Sequence, residues 1–186
     1  MRVISGRAKG HRLSKVPGQK TRPIMDRIKE NLFNLLGPHA VPGTRWLDLF
    51  AGTGQVGIEA LSRGAAEAVF IDSERMAIKT IHGNLATTRL SDWAKVFRMD
   101  AFLYLRSAEL QPFDYIFVAP PQYRAIWSEA VTTIDQDPAR YLDEGGLVVV
   151  QIDPKEFEEL ELKALRVLDR RTYGNTMLCF YEQDED

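Results

Sequence analysis

The chain has few of the residues and segments that define several classes of protein. Its 186 residues include one cysteine, Cys179, which excludes an internal disulfide and a Cys-x-x-Cys zinc site. No apolar run approaches the roughly 20 residues that a membrane-spanning helix needs, so we expect no membrane partner. The first residues contain no apolar stretch of signal-peptide length. We therefore expect a cytoplasmic protein without a metal site.

Acidic residues are absent from the first 25 positions, although the whole chain has a formal net charge of −2. The basic residues of this segment are Arg2, Arg7, Lys9, Arg12, Lys15, Lys20 and Arg22. The rest of the chain holds the other 17 of the 24 basic residues and all 26 acidic ones, a charge of −9. A basic arm on an acidic body is typical of proteins that bind a polyanion, although a solvated tail has the same composition.

Hydrophobic periodicity predicts alternating strands and helices along most of the chain. Strands are predicted at 46–49, 68–71, 95–99, 115–118 and 147–152, and short ones in the arm at 2–5 and 12–15. Helices are predicted at 24–36, 55–62, 74–86, 101–107 and 124–134. Two last strands, 164–168 and 176–181, are joined by turn residues, which predicts an antiparallel hairpin. The order predicts an α/β fold with a mostly parallel sheet, in which we separate a basic extension, 1–22, from a main domain, 23–186.

A glycine-rich segment follows the first of the five main strands. Gly52, Gly54 and Gly57 have the Gly-x-Gly-x-x-Gly spacing of a dinucleotide-binding turn, where the backbone approaches a ligand closely. This spacing alone is a weak signal, because an ordinary strand-to-helix turn also uses glycines.

Three acids lie at the carboxyl ends of three successive strands, at the edge where such sheets bind ligands. Asp72 is placed to hold ribose hydroxyls and Asp100 to accept from an adenine amino group, although each could instead cap the helix that follows it. Asp48 stands before the glycine segment, where a carboxylate would repel a pyrophosphate. It suits the amino group and sulfonium of S-adenosylmethionine, which the sequence therefore favours over a pyridine nucleotide.

A diproline ends the fourth main strand, in the segment Ala119-Pro120-Pro121-Gln122-Tyr123. Two prolines fix the backbone and remove two amide donors, so carbonyl groups can face a substrate amine. A rigid loop that only ends the strand would have the same sequence. Two aromatic residues, Tyr123 and Trp127, follow the diproline.

These segments together resemble the RsmD family, whose members methylate the exocyclic 2-amino group of a guanine in small-subunit ribosomal RNA. The resemblance lies in residues 2–6, 21–23, 26–27, 32–34, 48–54, 59–65 and 72. It implies a class I S-adenosylmethionine-dependent methyltransferase fold, which is Rossmann-like, with an N-terminal β-hairpin extension. The expected cofactor-site residues are Thr21, Arg22, Asp48, Phe50, Gly52, Gly54, Asp72, Ser73, Asp100 and Ala101. The residues expected to contact RNA phosphates are Arg7, Lys9, Arg12 and Lys15.

The chain departs from the family at the diproline. The family has Asn or Asp before the two prolines and Tyr or Phe after them, whereas this chain has Ala119 and Gln122. The Pro120 carbonyl, the Gln122 amide and Tyr123 remain as substitutes, so we expect residues 119–123 to form the catalytic segment. Tyr123 is our candidate for stacking on the target base, and Trp127 is a second candidate that packing on its helix explains better.

The expected function is methylation of ribosomal RNA, free or in the small ribosomal subunit, by a monomer. Two alternatives stay open. One is a non-catalytic or retuned protein that binds S-adenosylmethionine and RNA in ribosome assembly. The other is a pyridine-nucleotide oxidoreductase.

Overall fold

The computed structural model describes residues 1–18, 23–107 and 110–184, which form two compact units, Met1–Ala101 and Phe102–Asp186. The predicted boundary between residues 22 and 23 lies inside the first unit. Along the described residues, no helix combines the length and the apolar character that crossing a membrane requires.

The first unit contains three parallel strands in the order β3-β2-β1. The strands are β1 (Arg45–Asp48), β2 (Glu67–Asp72) and β3 (Ala94–Arg98). The helices are α1 (Asp26–Leu36), α2 (Gln55–Ser62) and α3 (Arg75–Thr88), with a 3₁₀ turn at Ser91–Trp93. All eight residues of α2 are buried, and the rings of Phe33 and Trp46 stack in the core with centroids 5.3 Å apart.

The second unit contains four strands in the order β4-β5-β7-β6, and only β4 and β5 run parallel. The strands are β4 (Phe113–Val118), β5 (Leu142–Ile152), β6 (Leu165–Tyr173) and β7 (Thr176–Gln183). The helices are α5 (Ile126–Asp135) and α6 (Pro138–Tyr141), with a 3₁₀ turn at Pro154–Glu156; α4 (Ala101–Leu105) begins at the last residue of the first unit. Val118, Val149 and Leu178 lie in the core.

Every predicted element from residue 24 onward is present, with shifted ends. The predicted antiparallel hairpin is confirmed as β6 and β7. β5 begins at Leu142, five residues before the predicted start, because its pairing with β4 continues past an irregularity between Phe113 and Tyr115. The pattern did not predict α6, whose four residues are too few to show a helical period.

The arm turns back on itself as expected, but the predicted strands at 2–5 and 12–15 are wrong. A single antiparallel bridge joins Arg2 and Arg12. The amides of Ile4 and Ser5 donate instead to the carboxylate of Glu59 on α2. These backbone groups are therefore unavailable for a longer ladder.

Candidate functional site

The glycine loop between β1 and α2 depends on the absence of side chains. Gly52 and Gly54 have φ angles of 54° and 75°, in the left-handed region that favours glycine. A Cβ atom at Gly57 would lie 2.4 Å from the ring of Phe70, so α2 can approach β2 only with glycine there. A Cβ atom at Gly52 would meet nothing within 4 Å, which leaves the loop backbone open to a ligand on that side.

Asp48 lies at the end of β1 and is only 2% exposed. Its Oδ2 accepts from the N–H of Gly57 at 3.3 Å, in the first turn of α2, whose N-cap, Gly54, has no side chain to cap with. Burial raises the pKa of Asp48 to about 8; the Gly57 hydrogen bond opposes this rise and the charge of Asp72 adds to it. A cation bound nearby would favour the ionised carboxylate, so the position suits a positively charged ligand.

Asp72 ties the glycine loop to the end of β2. Its Oδ2 accepts from the N–H of Gly52 and its Oδ1 from the N–H of Glu74, both at 2.9 Å. The second bond lies before α3, whose N-cap, Glu74, makes no side-chain cap bond, so Asp72 does not cap this helix. The first bond tethers the loop. Each carboxylate oxygen retains a second lone pair, so both can still accept from ribose hydroxyls.

The other predicted cofactor residues are divided between described and undescribed parts of the chain. Phe50 is half-buried, Ser73 and Asp100 are exposed, and Ala101 is buried. Thr21 and Arg22 lie outside the described residues. The first unit thus brings together an open backbone at Gly52 and the carboxylates of Asp48 and Asp72, a donor and acceptor set that fits a cationic, ribose-bearing cofactor.

The predicted catalytic segment belongs to the second unit. Ala119 and Pro120 are half-buried after β4, and Pro121, Gln122 and Tyr123 are exposed. Tyr123 has a φ of 60°, and Ala125, which is also left-handed, has a φ of 52°. Such backbone costs non-glycine residues about 1–3 kcal/mol and persists only where other contacts impose it.

Two acids after β5 hold Tyr123, and the sequence analysis missed both. The Tyr123 N–H donates to the carboxylate of Glu156, and its hydroxyl donates to Asp153 Oδ2 at 2.8 Å. The bond to Asp153 raises the pKa of the Tyr123 hydroxyl, while the Lys155 N–H and then the Tyr123 hydroxyl lower the pKa of Asp153. Asp153 and Glu156 form a capping box, whose Asp-x-x-Glu spacing is visible in the sequence. Tyr123 nevertheless remains 65% exposed, which leaves its ring open to stacking.

Gln151 on β5 is a further candidate that no sequence motif indicated. Its Oε1 is buried and has no hydrogen-bond partner among the described residues. Gln151 follows Val150, which pairs with Val118 in parallel, and Ala119 follows Val118. Gln151 and Ala119 are thus the next residues after a paired position on neighbouring strands. Gln151 carries an acceptor without a donor, and Ala119 stands at the position where the family carries an acceptor side chain.

Trp127 is a packing residue, as its helical position predicted. Its side chain is only 2% exposed, and its ring stacks on Phe157 with centroids 6.1 Å apart. The second candidate for base stacking is therefore wrong.

The basic arm is fixed to the body of the first unit. Its apolar side chains, Val3, Ala8, Leu13 and Val16, are buried. The Glu59 carboxylate accepts from the amides of Ile4 and Ser5 at 2.9 and 3.0 Å. Ser62 Oγ accepts from the amide of Ala8 at 2.9 Å. The four predicted RNA-contacting residues, Arg7, Lys9, Arg12 and Lys15, are all exposed.

Buried charges complete this attachment. Glu59 is fully buried, and its carboxylate lies 2.8 Å from Arg63 Nε and 3.5 Å from Lys29 Nζ. Lys29, also fully buried, donates from Nζ to the carbonyl oxygen of Arg2 at 2.7 Å. Burial lowers the pKa of Lys29, and Glu59 and then Asp26 oppose that change. Residues of the 59–65 segment therefore serve to hold the arm.

Comparisons with known proteins agree with the resemblance of the sequence motifs. The family model described as "Conserved hypothetical protein 95" matches residues 1–182. "Putative rRNA methyltransferase YlbH" of Bacillus subtilis is 41% identical over 186 residues, which cover 98% of this chain and 99% of that protein. "Ribosomal RNA small subunit methyltransferase D" of Haemophilus influenzae is 30% identical over 184 residues, 94% of each chain.

A solved structure, "Putative methyltransferase yhhF from Escherichia coli", matches with a TM-score of 0.86 and 28% identity, over 100% of this chain and 99% of that one. This likeness confirms the predicted class I methyltransferase fold.

Proposed function

The chain belongs to the RsmD family, and we propose that it transfers a methyl group from S-adenosylmethionine to the exocyclic 2-amino group of a guanine in small-subunit ribosomal RNA. The observation that carries this proposal is the glycine loop of the first unit, whose backbone is open at Gly52 and tethered to Asp72. The name of the Haemophilus influenzae relative supports the class of substrate. In this proposal the protein acts as a cytoplasmic monomer, the extension 1–22 binds RNA, and residues 23–186 carry the chemistry.

The first unit supplies the cofactor-binding residues. Asp72 accepts from the ribose hydroxyls while keeping its bonds to the loop, and Asp100 accepts from the adenine amino group. Asp48 provides a negative charge once a cationic ligand lowers its pKa. The family resemblance assigns Thr21 and Arg22 to the methionine end of the cofactor. S-Adenosylmethionine, when bound, supplies a methyl group already activated by its sulfonium.

The diproline segment of the second unit supplies the groups for the target base. The guanine amine is a weak nucleophile because its lone pair is delocalised into the ring, so alignment and hydrogen-bond acceptors provide the rate enhancement. The acceptors in this chain are the Pro120 carbonyl and the side-chain amides of Gln122 and Gln151. The exposed ring of Tyr123 stacks on the base.

The arm holds the RNA by its phosphates. Arg7, Lys9, Arg12 and Lys15 project from a backbone that Glu59 and Ser62 keep in place. Phosphate contacts of this kind position the substrate without reading its sequence, and they weaken as salt rises.

The test is transfer of tritium from labelled S-adenosylmethionine to small ribosomal subunits that lack the modification. We expect label in the small-subunit RNA, and calorimetry should show binding of S-adenosylmethionine in preference to NAD. Cofactor binding without any transfer would reject the proposed activity, and preferential binding of NAD would reject the cofactor.

Ala119 favours a second candidate, a protein that binds S-adenosylmethionine and RNA without catalysis. Position 119 has no side-chain acceptor, where the family carries Asn or Asp. Ala119→Asp restores an acceptor, and Ala119→Val changes only bulk. A wild-type protein without transfer, together with a large gain in Ala119→Asp alone, would establish this second candidate; transfer by the wild type rejects it.

A further inference from the structure

A cation–π pair joins the basic arm to the 3₁₀ turn before β3. The Arg7 guanidinium carbon lies 4.6 Å from the centroid of the Trp93 ring. Trp93 is 38% exposed, whereas Trp46 and Trp127 are 1% and 2% exposed. Trp93 is therefore the tryptophan that solvent can reach, and an arginine from the arm covers part of it.

The position of Arg7 is fixed through its backbone. The Arg7 N–H donates to the Ser62 carbonyl oxygen at 2.8 Å, and the next amide, that of Ala8, donates to Ser62 Oγ at 2.9 Å. Within the ranges 1–18, 23–107 and 110–184, no carboxylate forms an ion pair with the Arg7 guanidinium, and the exposed Asp92 beside Trp93 forms none either. The planar cation thus retains its charge and its hydrogen-bond donors while lying on an indole.

We propose that Arg7 and Trp93 form a stacking site for an unpaired nucleobase of the RNA, with the base on the outer face of the Arg7 guanidinium and Trp93 beneath it. Proteins bind unpaired RNA bases on aromatic rings and on guanidinium planes, and one stacked base contributes about 1–3 kcal/mol. The exposed Lys9 and Arg12 on the same arm suit the flanking phosphates. The proposal rests on the RNA substrate of the proposed function and adds a contact with a base, separate from the target base, to an arm that otherwise holds only phosphates.

The pair is organised before RNA binds, which lowers the entropy lost on binding. A lysine at position 7 would carry the same positive charge and would attract RNA equally well. It has no planar group, however, on which a base can stack. The stacking proposal therefore predicts that Arg7→Lys behaves differently from Arg12→Lys, since Arg12 lies on no aromatic ring among the described residues.

The experiment measures the affinity of the full chain for a short oligoadenylate and for the same ribose-phosphate chain without bases. We expect Arg7→Lys and Trp93→Ala each to weaken oligoadenylate binding about tenfold and to leave binding of the abasic chain unchanged. Arg12→Lys, the matched control, changes a phosphate contact and no stacking plane, so any loss of affinity should be equal for the two chains. Unchanged calorimetric affinity for S-adenosylmethionine shows that each variant is folded.

Three results would overturn the stacking site. They are an equal loss on both chains, no loss on either, and a wild-type protein that binds oligoadenylate no better than the abasic chain. Failure of the proposed function has a different signature: a base-dependent effect of Arg7→Lys without any methyl transfer would reject the enzyme and retain the site.

Discussion

The glycine loop of the first unit and the diproline loop of the second both follow a parallel strand, but they are held in different ways. The glycine loop is fixed by hydrogen bonds from Gly52 and Gly57 to two carboxylates and by contact between Gly57 and Phe70. The diproline loop is half-buried at Ala119 and Pro120 and exposed from Pro121 to Tyr123, where bonds from Tyr123 to Glu156 and Asp153 hold a left-handed backbone. Substitutions in the first unit should therefore lower stability and cofactor affinity, whereas substitutions at the diproline loop should act mainly on transfer.

The largest effect is expected for Glu59→Ala, which tests whether Glu59 anchors the basic arm to the first unit. Removing this carboxylate leaves Lys29 buried without its closest acidic partner and leaves the amides of Ile4 and Ser5 without acceptors. We expect a loss of about 3–5 kcal/mol in the free energy of unfolding, measured by urea denaturation. The control Glu158→Ala removes an exposed carboxylate and should change this value by no more than about 0.5 kcal/mol. Equal values for the two variants would mean that Glu59 does not hold the arm.

Gly57→Ala tests the packing of the glycine loop. The added methyl group must displace the ring of Phe70, so we expect a loss of about 1–3 kcal/mol in stability together with weaker binding of S-adenosylmethionine. Gly83→Ala is the matched control, because residue 83 lies within α3 and a Cβ there meets nothing within 4 Å. It should raise stability by about 0.5–1 kcal/mol, and a Gly57→Ala protein as stable as Gly83→Ala would contradict the packing argument.

A pH titration of cofactor affinity tests the role of Asp48. Its pKa in the free protein is raised to about 8, mainly by burial, and a bound cation lowers it, so binding releases a proton. Affinity for S-adenosylmethionine should then rise as pH increases toward 8, by at most about tenfold per pH unit. Calorimetry between about pH 5.5 and 7.5 measures this slope, and Asp48→Asn should remove it. The same slope in both proteins would assign the titration to another group.

The smallest effects are expected at Tyr123, where the diproline loop should tolerate loss of the hydroxyl but not of the ring. Tyr123→Phe removes the hydrogen bond from the Tyr123 hydroxyl to Asp153. The Asp153 carboxylate still accepts from the Lys155 N–H, which lowers its pKa, so it keeps a partner. We expect stability within about 1 kcal/mol of wild type and nearly unchanged transfer. Tyr123→Ala should slow transfer about tenfold because the stacking plane is lost. Equal transfer rates for the two variants would remove the ring from the mechanism.

The two loops also differ in how much of them the sequence could predict. Gly52, Gly54 and Asp72 were identified because a strand-to-helix turn and a strand-end acid produce local spacing. The partners of the diproline loop were not, because Tyr123 and Asp153 are 30 residues apart. The anchoring of the arm could not be predicted for the same reason, because Ile4 and Glu59 are 55 residues apart. The unpartnered Gln151 oxygen has no sequence signal, since burial and pairing in the folded chain produce it.

The most direct test of the proposed activity identifies the nucleoside that receives the methyl group. Small-subunit RNA labelled with tritiated S-adenosylmethionine is digested to nucleosides and separated by chromatography. We predict that the label elutes with N2-methylguanosine, and that Arg7, Lys9, Arg12 and Lys15 changed together to Ala reduce its amount. Label in any other nucleoside, or no label from a protein that binds S-adenosylmethionine, would contradict the account.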